Sequence, residues 1–284
     1  MGNAPWLDNP AGYQGLPLRT PTIPPAEHTN CYVIGHKDAL IVDPGSAYPK
    51  ELDLLRDMLW RLRGSGGSIG AVFLTHHHVD HVGGAAQIAA EFDAPIAAHA
   101  ETLSRVKTSY EGEALELRGV DEGEIFEIDG DRELLALFTP GHAPGHLCLF
   151  EQKEKILVAG DMIPGVGTIV IDPDEGDMAI YLEHLSRLAA LDPQKTLPAH
   201  GPILDDGRQG IEALISHRLG REAKIFDALS GAFADLMEIT TAAYDDVPTM
   251  LLPLASRSAL AHLIKLEKDD RAERESEKWR ILQR

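Results

Sequence analysis

Four side chains of the types that bind divalent metals fall within six consecutive residues of this chain. His76, His78, Asp80 and His81 form the pattern His-x-His-x-Asp-His, directly after the apolar run at residues 71–74. Imidazole and carboxylate groups are ligands that suit Zn²⁺ and similar cations. In a turn at a strand end, residues two apart can point the same way, so the first two histidines can share one ion while Asp80 and His81 face another. The pattern therefore predicts a site for two metal ions.

One turn cannot complete two metal sites, so further ligands must come from elsewhere in the chain. Three candidates, His142, Asp161 and His200, each follow a short apolar run and each have a glycine beside them. Strands of one sheet that end at the same edge would bring these three side chains to the first cluster. The sequence thus predicts that seven ligands meet at one sheet edge.

Short apolar runs predict strands, and amphipathic stretches predict helices that cover them. The strands are expected at residues 31–34, 39–42, 71–74, 96–99, 134–138, 147–150, 156–159 and 196–198, and the helices at 50–63, 82–92 and 178–191. The pattern then changes to helices at 207–229, 233–244 and 256–268, followed by a strand-like end at 279–282. We therefore expect a mixed α/β domain of residues 1–207 and a small helical C-terminal domain of residues 208–284.

The chain of 284 residues has a formal net charge of −19, which is unevenly placed. Residues 210–284 hold 11 Lys and Arg against 13 Asp and Glu, so the acidic excess lies almost wholly in the first part. An acidic body repels polyanions at long range, which disfavours generic nucleic-acid binding.

Residues 1–25 carry no export signal and no apolar run is long enough to span a membrane, which favours a cytoplasmic protein. Cys31 and Cys148 lie in apolar runs and are expected to be buried free thiols.

These motifs resemble those of the metallo-β-lactamase superfamily over roughly residues 28–205. The resemblance implies the α+β class: an αββα sandwich with the metals at one edge and, here, a small C-terminal winged-helix-like domain. It implies two divalent ions, with zinc preferred and iron or manganese left open. By the family's pattern His76, His78 and His142 hold the first ion, Asp80, His81 and His200 hold the second, and Asp161 bridges them.

The same resemblance suggests roles for the other side chains near the site. A water bridging two cations loses its proton near neutral pH and becomes a nucleophile; Asp80 could orient that hydroxide or accept its proton, and Asp161 acts by holding both ions. Asp43, in Val42-Asp43-Pro44-Gly45, is expected to support the ligand turn, and His146 to support the site from four residues beyond His142. His77, between two ligands, is expected to face away.

Within the superfamily the chain resembles the β-lactamase-like protein 2 group, through the stretch at residues 29–35, the stretch at residues 167–182 and the C-terminal domain. This implies a hydrolase acting on an ester, thioester, lactone or phosphodiester, with small-molecule substrates and single-stranded RNA both open. The competing hypotheses are a single-strand endoribonuclease and, from a different class, a nucleic-acid-binding regulator. A homo-oligomer stays open too, because Leu251-Leu252-Pro253-Leu254 is expected to be exposed.

Overall fold

The apolar runs of the sequence form two β-sheets that pack face to face. The computed structural model describes residues 7, 9–110 and 114–282. Its first sheet has the strand order β1-β2-β3-β4-β5-β6, antiparallel through β3 and parallel from there on. These strands are β1 (Tyr13–Arg19), β2 (His28–Ile34), β3 (Asp38–Val42), β4 (Ser68–Phe73), β5 (Ile96–Ala98) and β6 (Leu117–Gly119).

The second sheet has the order β11-β10-β9-β8-β7, in which only the β10–β11 pair is parallel. Its strands are β7 (Ile125–Ile128), β8 (Arg132–Phe138), β9 (Leu147–Glu151), β10 (Ile156–Gly160) and β11 (Lys195–Pro198). Strands β9 and β10 are buried at every position, because this sheet is covered on both faces.

Helices cover the outer faces of both sheets and complete four layers. A core that includes Leu55, Ile88 and Val72 lies between the first sheet and its helices. A second core, with Phe73 and Leu149, fills the space between the sheets, and a third, with Leu157 and Leu185, lies on the far side. The helices of this region are α1 (Pro49–Gly64), α2 (Val79–Val82), α3 (Ala85–Phe92), α4 (Ala100–Val106) and α5 (Met178–Ala190), with a 3₁₀ turn at Lys107–Tyr110. The expected αββα sandwich is confirmed.

The C-terminal part has its own apolar core around the fully buried side chain of Trp279. It consists of α6 (Gly207–Ala228), β12 (Ala234–Asp235), α7 (Leu236–Ala243), a 3₁₀ turn at Thr249–Leu251, α8 (Leu252–Lys268), β13 (Ala272–Glu275) and β14 (Lys278–Ile281). Its three-stranded sheet has the order β12-β14-β13. Helix α6 contributes Ile211 to the core beside α5 and Ile225 to the C-terminal core, so one helix belongs to both. The domain boundary near residue 208 stays a prediction.

Three details differ from the sequence expectation. The helix expected at residues 82–92 is interrupted at Gly83 and Gly84, because the loop after β3 passes so close that the N–H of Gly84 bonds to the carbonyl of Pro44 at 2.8 Å. Strands β1, β6 and β7 had no clear sequence signal. Leu252 is buried and Leu251 and Leu254 are half-buried, so the patch expected to be exposed at residues 251–254 is wrong for its three leucines, and only Pro253 of this run is exposed.

Two expectations about side chains and segments can be compared directly. Cys31 and Cys148 are buried free thiols, as expected. Among residues 7, 9–110 and 114–282, no helix combines the length and the apolar character that crossing a bilayer requires. Residues 1–6 and 8, part of the stretch searched for an export signal, lie outside the described residues.

Candidate metal centre

The predicted ligands follow the ends of four strands that reach the same edge of the sandwich. The turn that carries His76, His78, Asp80 and His81 follows β4, and the other three ligands follow β8, β10 and β11. In one group, single donor atoms of four side chains all lie within 4.8 Å of one another: His76, His78, His142 and Asp161. The same holds for a second group of three: Asp80, His81 and His200. The structure thus brings all seven residues together.

In the first group the three histidines turn one nitrogen each toward a common point. Nδ1 of His78 lies 2.9 Å from Nε2 of His76 and 3.0 Å from Nε2 of His142. Oδ2 of Asp161 lies 3.6 Å from the same nitrogen of His142. Three imidazole nitrogens and one carboxylate oxygen therefore face one another, an arrangement with four donors for one tetrahedral ion.

The second group lies on the other side of the Asp161 carboxylate. Oδ1 of Asp161 lies 3.3 Å from Nε2 of His200 and 3.5 Å from Nε2 of His81. The Asp80 carboxylate approaches the same two nitrogens, at 3.6 Å and 4.0 Å. Asp161 thus presents one oxygen to each group, which is the position required of a bridging ligand.

Two buried atoms at the centre of the cluster lack the partners that burial normally demands. Nε2 of His81 and Oδ1 of Asp161 form no hydrogen bond with any described residue. A buried polar atom without a partner costs free energy, so such atoms in a native structure call for an ion or a water. Because the donors are nitrogen and carboxylate oxygen, the residues fit divalent metal ions; metal binding by these seven side chains stays a proposal.

Each of the five histidines has its remaining ring nitrogen held by an acceptor. These acceptors are Oγ1 of Thr75 for His76 at 3.0 Å, Oε1 of Glu175 for His78 at 2.6 Å, Oδ2 of Asp43 for His81 at 2.8 Å, the carbonyl of Val170 for His142 at 3.0 Å, and the carbonyl of His28 for His200 at 2.9 Å. In a neutral ring, donation of the far N–H in this way fixes the tautomer, so that the other nitrogen is the one with a free lone pair and its direction is set. The surroundings therefore orient every imidazole of the cluster.

Asp43 connects the two groups from beneath the ligand turn. Its carboxylate is buried and accepts hydrogen bonds from the backbone N–H of Thr75 at 2.8 Å, from the Thr75 hydroxyl at 2.7 Å and from His81. Since that hydroxyl also contacts Nδ1 of His76, Asp43 supports one histidine of each group. The structure places Asp43 where the sequence analysis expected a supporting role.

His146 holds the backbone of the bridging residue. Its Nε2 accepts a hydrogen bond from the N–H of Asp161 at 3.1 Å, so Nδ1 carries the proton and donates to the hydroxyl of Thr139 at 2.9 Å. The ring is fully buried. It therefore supports Asp161 and does not reach the chamber in front of the cluster.

Glu175 is a site residue that the sequence analysis missed. Its carboxylate accepts from Nε2 of His78 at 2.6 Å and from Nε2 of His77 at 2.9 Å, so His77 does not face away as expected. These hydrogen bonds from His77 and His78 hold the pKa of Glu175 well below its ordinary range. In the sequence, Asp172-Pro173-Asp174-Glu175-Gly176 has the composition of any polar surface turn. That composition gave no signal for a contact with the cluster.

Burial and charge set the protonation of the ligands in the ion-free protein. Burial lowers the pKa of His142 to about 4 and that of His76 well below its ordinary value, so both rings are neutral at neutral pH. Burial opposes the ionisation of Asp161, but His200 and His81 hold its pKa well below the ordinary value. His76, His142 and Asp161 are therefore in the protonation states that metal ligation requires. Burial opposes the protonation of His81 and His200, but the Asp161 carboxylate raises the pKa of both rings, so an ion in the second group competes with protons.

A chamber of about 850 Å³ leads from the cluster to the space between the two domains. Five residues of the cluster form its floor: His78, Asp80, His142, Asp161 and His200. Most of its wall is apolar, with contributions from Ile23, Pro24, Pro25, Ile163, Pro164, Val166, Leu214, Val247, Pro248, Leu251, Leu254 and Ala255. Among the described residues, the Lys or Arg side chains that line it are Arg218 and Arg221. Both guanidinium groups are largely buried and engaged, the first with the carbonyl of Ile169 and the second with Asp246 at 2.9 Å.

Comparisons with known proteins agree with this arrangement. The sequence model of the family described as "Metallo-beta-lactamase superfamily" matches residues 24–200, and that of the "Beta-lactamase associated winged helix domain" matches residues 236–279. A "Beta-lactamase-like protein 2 homolog" of Caenorhabditis elegans is 29% identical over 256 residues, which cover 88% of this chain and 83% of the relative. "Lactamase-like protein vrtG" of Penicillium aethiopicum is 29% identical over 260 residues, covering 88% and 79%.

Solved structures share the fold over nearly the whole chain. A metallo-beta-lactamase family protein from Thermus thermophilus superimposes with a TM-score of 0.79 at 22% identity, covering 95% of this chain and 98% of that one. A beta-lactamase domain protein from Burkholderia ambifaria gives a TM-score of 0.81 at 21% identity, covering 95% and 91%. A further chain, solved in a di-iron-bound form, gives 0.52 at 25% identity over 68% of this chain and 96% of that one.

Proposed function

This chain belongs to the metallo-beta-lactamase superfamily, whose members are typically metal-dependent hydrolases, and on that premise we propose that it uses two metal ions to hydrolyse an ester, thioester or lactone bond in a largely apolar small molecule. The observation that carries the proposal is the apolar chamber whose floor is formed by five residues of the seven-residue cluster. Its volume of about 850 Å³ lies in the range of small-molecule sites. Such a chamber removes the apolar body of a substrate from water while the bond to be cleaved rests at the floor.

The chain's own residues take distinct parts in this proposal. His76, His78 and His142 would hold one divalent ion, and Asp80, His81 and His200 the other, with Asp161 between them. Bound ions would lower the pKa of a water molecule and polarise the substrate's carbonyl group. Zn²⁺ suits these ligands, and the di-iron form of a structural neighbour makes iron the first alternative to test.

We assign to Asp80 the role of accepting the proton of the attacking water. Its side chain lines the chamber and is 14% exposed, whereas the Asp161 side chain, at 10%, lies between the two groups. A carboxylate at the chamber floor can orient a water and take up its proton as the bond to the carbonyl carbon forms. Asp161 serves by fixing the distance between the two groups.

Single-stranded RNA is the competing substrate class, and a phosphodiester is the bond that it would present. The similarity to a winged helix domain and to beta-lactamase-like protein 2 homologues favours it. The charges oppose it, because the net charge is −19 and the two arginines of the chamber are already engaged. Nucleic-acid binding depends on cations that neutralise phosphates, so the small-molecule substrate is the better supported of the two. A nucleic-acid-binding regulator would leave the complete ligand set unexplained.

A substrate screen with the full chain tests the proposal. Protein loaded with Zn²⁺ is offered straight-chain acyl thioesters and p-nitrophenyl esters of increasing length, alkyl lactones, and labelled single-stranded RNA, each with and without chelator. We expect turnover of the apolar acyl substrates, lost with chelator and in His78→Ala. Cleavage of RNA without any acyl hydrolysis would replace this proposal with the ribonuclease, and turnover that survives metal removal would contradict both.

A further inference from the structure

A short segment between β10 and α5 touches the candidate metal centre on one side and the C-terminal domain on the other. This site loop comprises residues 169–177. On its inner side the carbonyl of Val170 accepts from Nδ1 of His142 at 3.0 Å, and Glu175 accepts from His78 at 2.6 Å. The N–H of Asp177 also bonds to the carbonyl of Gly141, next to His142, at 2.8 Å. Two of the three histidines of the first group therefore depend on the site loop for their orientation.

The outer side of the site loop is held by cations from the C-terminal part of the chain. Arg257 of α8 binds Asp172 through Nε at 3.0 Å and through Nη2, and its Nη2 lies 2.7 Å from Asp174. Lys268 of α8 binds Asp177 at 2.6 Å, and Arg218 of α6 donates to the carbonyl of Ile169. The bidentate contact with Asp172 fixes direction as well as distance.

The two sides are joined within one tight turn. The carbonyl of Asp172 accepts from the N–H of Glu175 at 3.1 Å and from the N–H of Gly176 at 2.6 Å. Gly176 packs against the loop of His142, where an added Cβ would lie 2.7 Å from the carbonyl of Gly141. Because these two hydrogen bonds tie the backbone of Asp172 to that of Glu175 and Gly176, a displacement of Asp172 would also displace Glu175.

From these contacts we propose that the C-terminal domain sets the affinity of the first metal group, with Glu175 as the positioning residue and Arg257 as the contact that holds it in place. A carboxylate that accepts the Nε2–H of His78 fixes the orientation of the ring and the tautomer in which Nδ1 faces the ion. The second group, Asp80, His81 and His200, has no such contact with the site loop among the described residues. The inference rests on the proposed metal binding, and it assigns the C-terminal domain a role that does not require nucleic acid.

Metal titration of the full chain tests this inference, with Co²⁺ and Zn²⁺ measured by competition against a chromophoric chelator. Glu175→Ala is expected to lower the affinity for one of the two ions by about 10–100-fold and to leave the affinity for the other within about 2-fold of the wild type. Glu175→Gln keeps one hydrogen-bond acceptor and should fall between the wild type and Glu175→Ala. The Co²⁺ absorption bands of the affected ion should also change, which a general loss of stability would not produce.

Arg257→Ala should lower the affinity for the same ion by about 5-fold, the scale expected for a partly exposed ion pair. Its matched control is Arg274→Ala, which removes another half-exposed arginine of the C-terminal domain, paired with Glu267 at 3.8 Å and not in contact with the site loop. The effect of Arg257→Ala should shrink in the Glu175→Ala background, because the contact acts through that residue.

The outcomes separate this inference from the proposed function. Equal metal affinities of Arg257→Ala and Arg274→Ala, or equal weakening of both ions in Glu175→Ala, would overturn the inference and leave the hydrolase intact. A wild-type chain that binds no divalent metal would overturn both. Thermal unfolding of the chelated proteins shows whether each variant is folded, and Glu175→Gln supplies the comparison if Glu175→Ala does not fold.

Discussion

The Asp43 carboxylate lies 2.8 Å from Nδ1 of His81, and this contact is repeated on the other side of the cluster by Glu175 and His78 at 2.6 Å. Each group of ligands thus contains one histidine whose far nitrogen faces a carboxylate. Asp43 comes from the loop after β3 and Glu175 from the loop before α5, which lie at different places in the chain. The two carboxylates are therefore separate supports. Substitution of Glu175 should affect the first ion, and substitution of Asp43 should affect mainly the second, with a smaller effect on the first through Thr75 and His76.

Asp43→Asn should lower the affinity for the second ion more than the affinity for the first. The amide oxygen can still accept from the N–H of Thr75. The NH₂ group then replaces the oxygen that accepts from the Thr75 hydroxyl and from His81, and it cannot accept either hydrogen bond. Loss of such a contact typically costs about 10–100-fold in metal affinity. Chelator competition measures the two ions, and weakening confined to the ion that Glu175→Ala affects would contradict the assignment.

Gly45→Ala should damage the site by steric means. An added Cβ at Gly45 would lie 1.7 Å from the backbone carbonyl of Asp80, so either the loop after β3 or the ligand turn must move. Overpacking of this kind costs about 1–3 kcal/mol of folding free energy. Denaturant unfolding and metal occupancy measure the loss, and unchanged occupancy would refute the prediction. Gly64→Ala is the matched control, because its Cβ would meet nothing within 4 Å.

Leu254→Asn should alter selectivity along the apolar chamber. Leu254 lines the wall that the C-terminal domain contributes, so a polar side chain there would lower the gain from burying a long acyl group. We expect a several-fold higher KM for long acyl esters and little change for acetyl esters. Leu219→Asn is the control, since Leu219 is 47% exposed and not among the residues that line the chamber. Equal effects on short and long substrates would argue against the chamber as the acyl site.

The stability of the C-terminal domain should depend on pH through Glu222. Burial opposes its ionisation, but hydrogen bonds from His262 and Lys265 hold its pKa below the ordinary value of 4.5. A lowered folded pKa contributes stability that is present above the ordinary pKa and is lost as the pH falls through the folded value. Arg271, at 3.6 Å, adds a second cation beside that of Lys265.

Glu222→Gln tests this dependence by comparison with the wild type. At neutral pH the variant should lose about 2 kcal/mol, the scale of a hydrogen bond to a charged group. As the pH falls below 4.5, the free energies of unfolding of the two proteins should converge, because the wild-type carboxyl becomes protonated and is then neutral, like the amide. A constant difference from neutral to acidic pH, measured by denaturant unfolding, would show that Glu222 does not titrate in this way.

The sequence by itself predicted the seven side chains that the structure brings together, and its resemblance to a known family implied the sandwich that carries them. Seven His and Asp residues follow short apolar runs, and that order predicted that His76, His142, Asp161 and His200 would meet. The expectation of a single sheet edge is wrong, because β4 belongs to one sheet and β8, β10 and β11 to the other, and both sheets end at the same edge of the sandwich. Residue type and strand ends are local properties. The pattern of a single chain therefore indicates them, whereas the supporting position of Asp43 beside the ligand turn was implied by the family resemblance.

Only the tertiary structure decided which residues complete the site and what surrounds it. Glu175 reaches His78 across 97 residues, and Arg257 reaches Asp172 across 85, from turns and helix faces whose composition is that of ordinary polar surface. Leu251–Leu254 looked exposed in sequence, yet this run helps to close an apolar chamber with Ile23 and Pro25 from the other end of the chain. Hydrogen bonds and chamber walls require approach within a few ångströms, and that proximity is set by how the helices of the C-terminal domain pack on the sandwich, which no local pattern encodes.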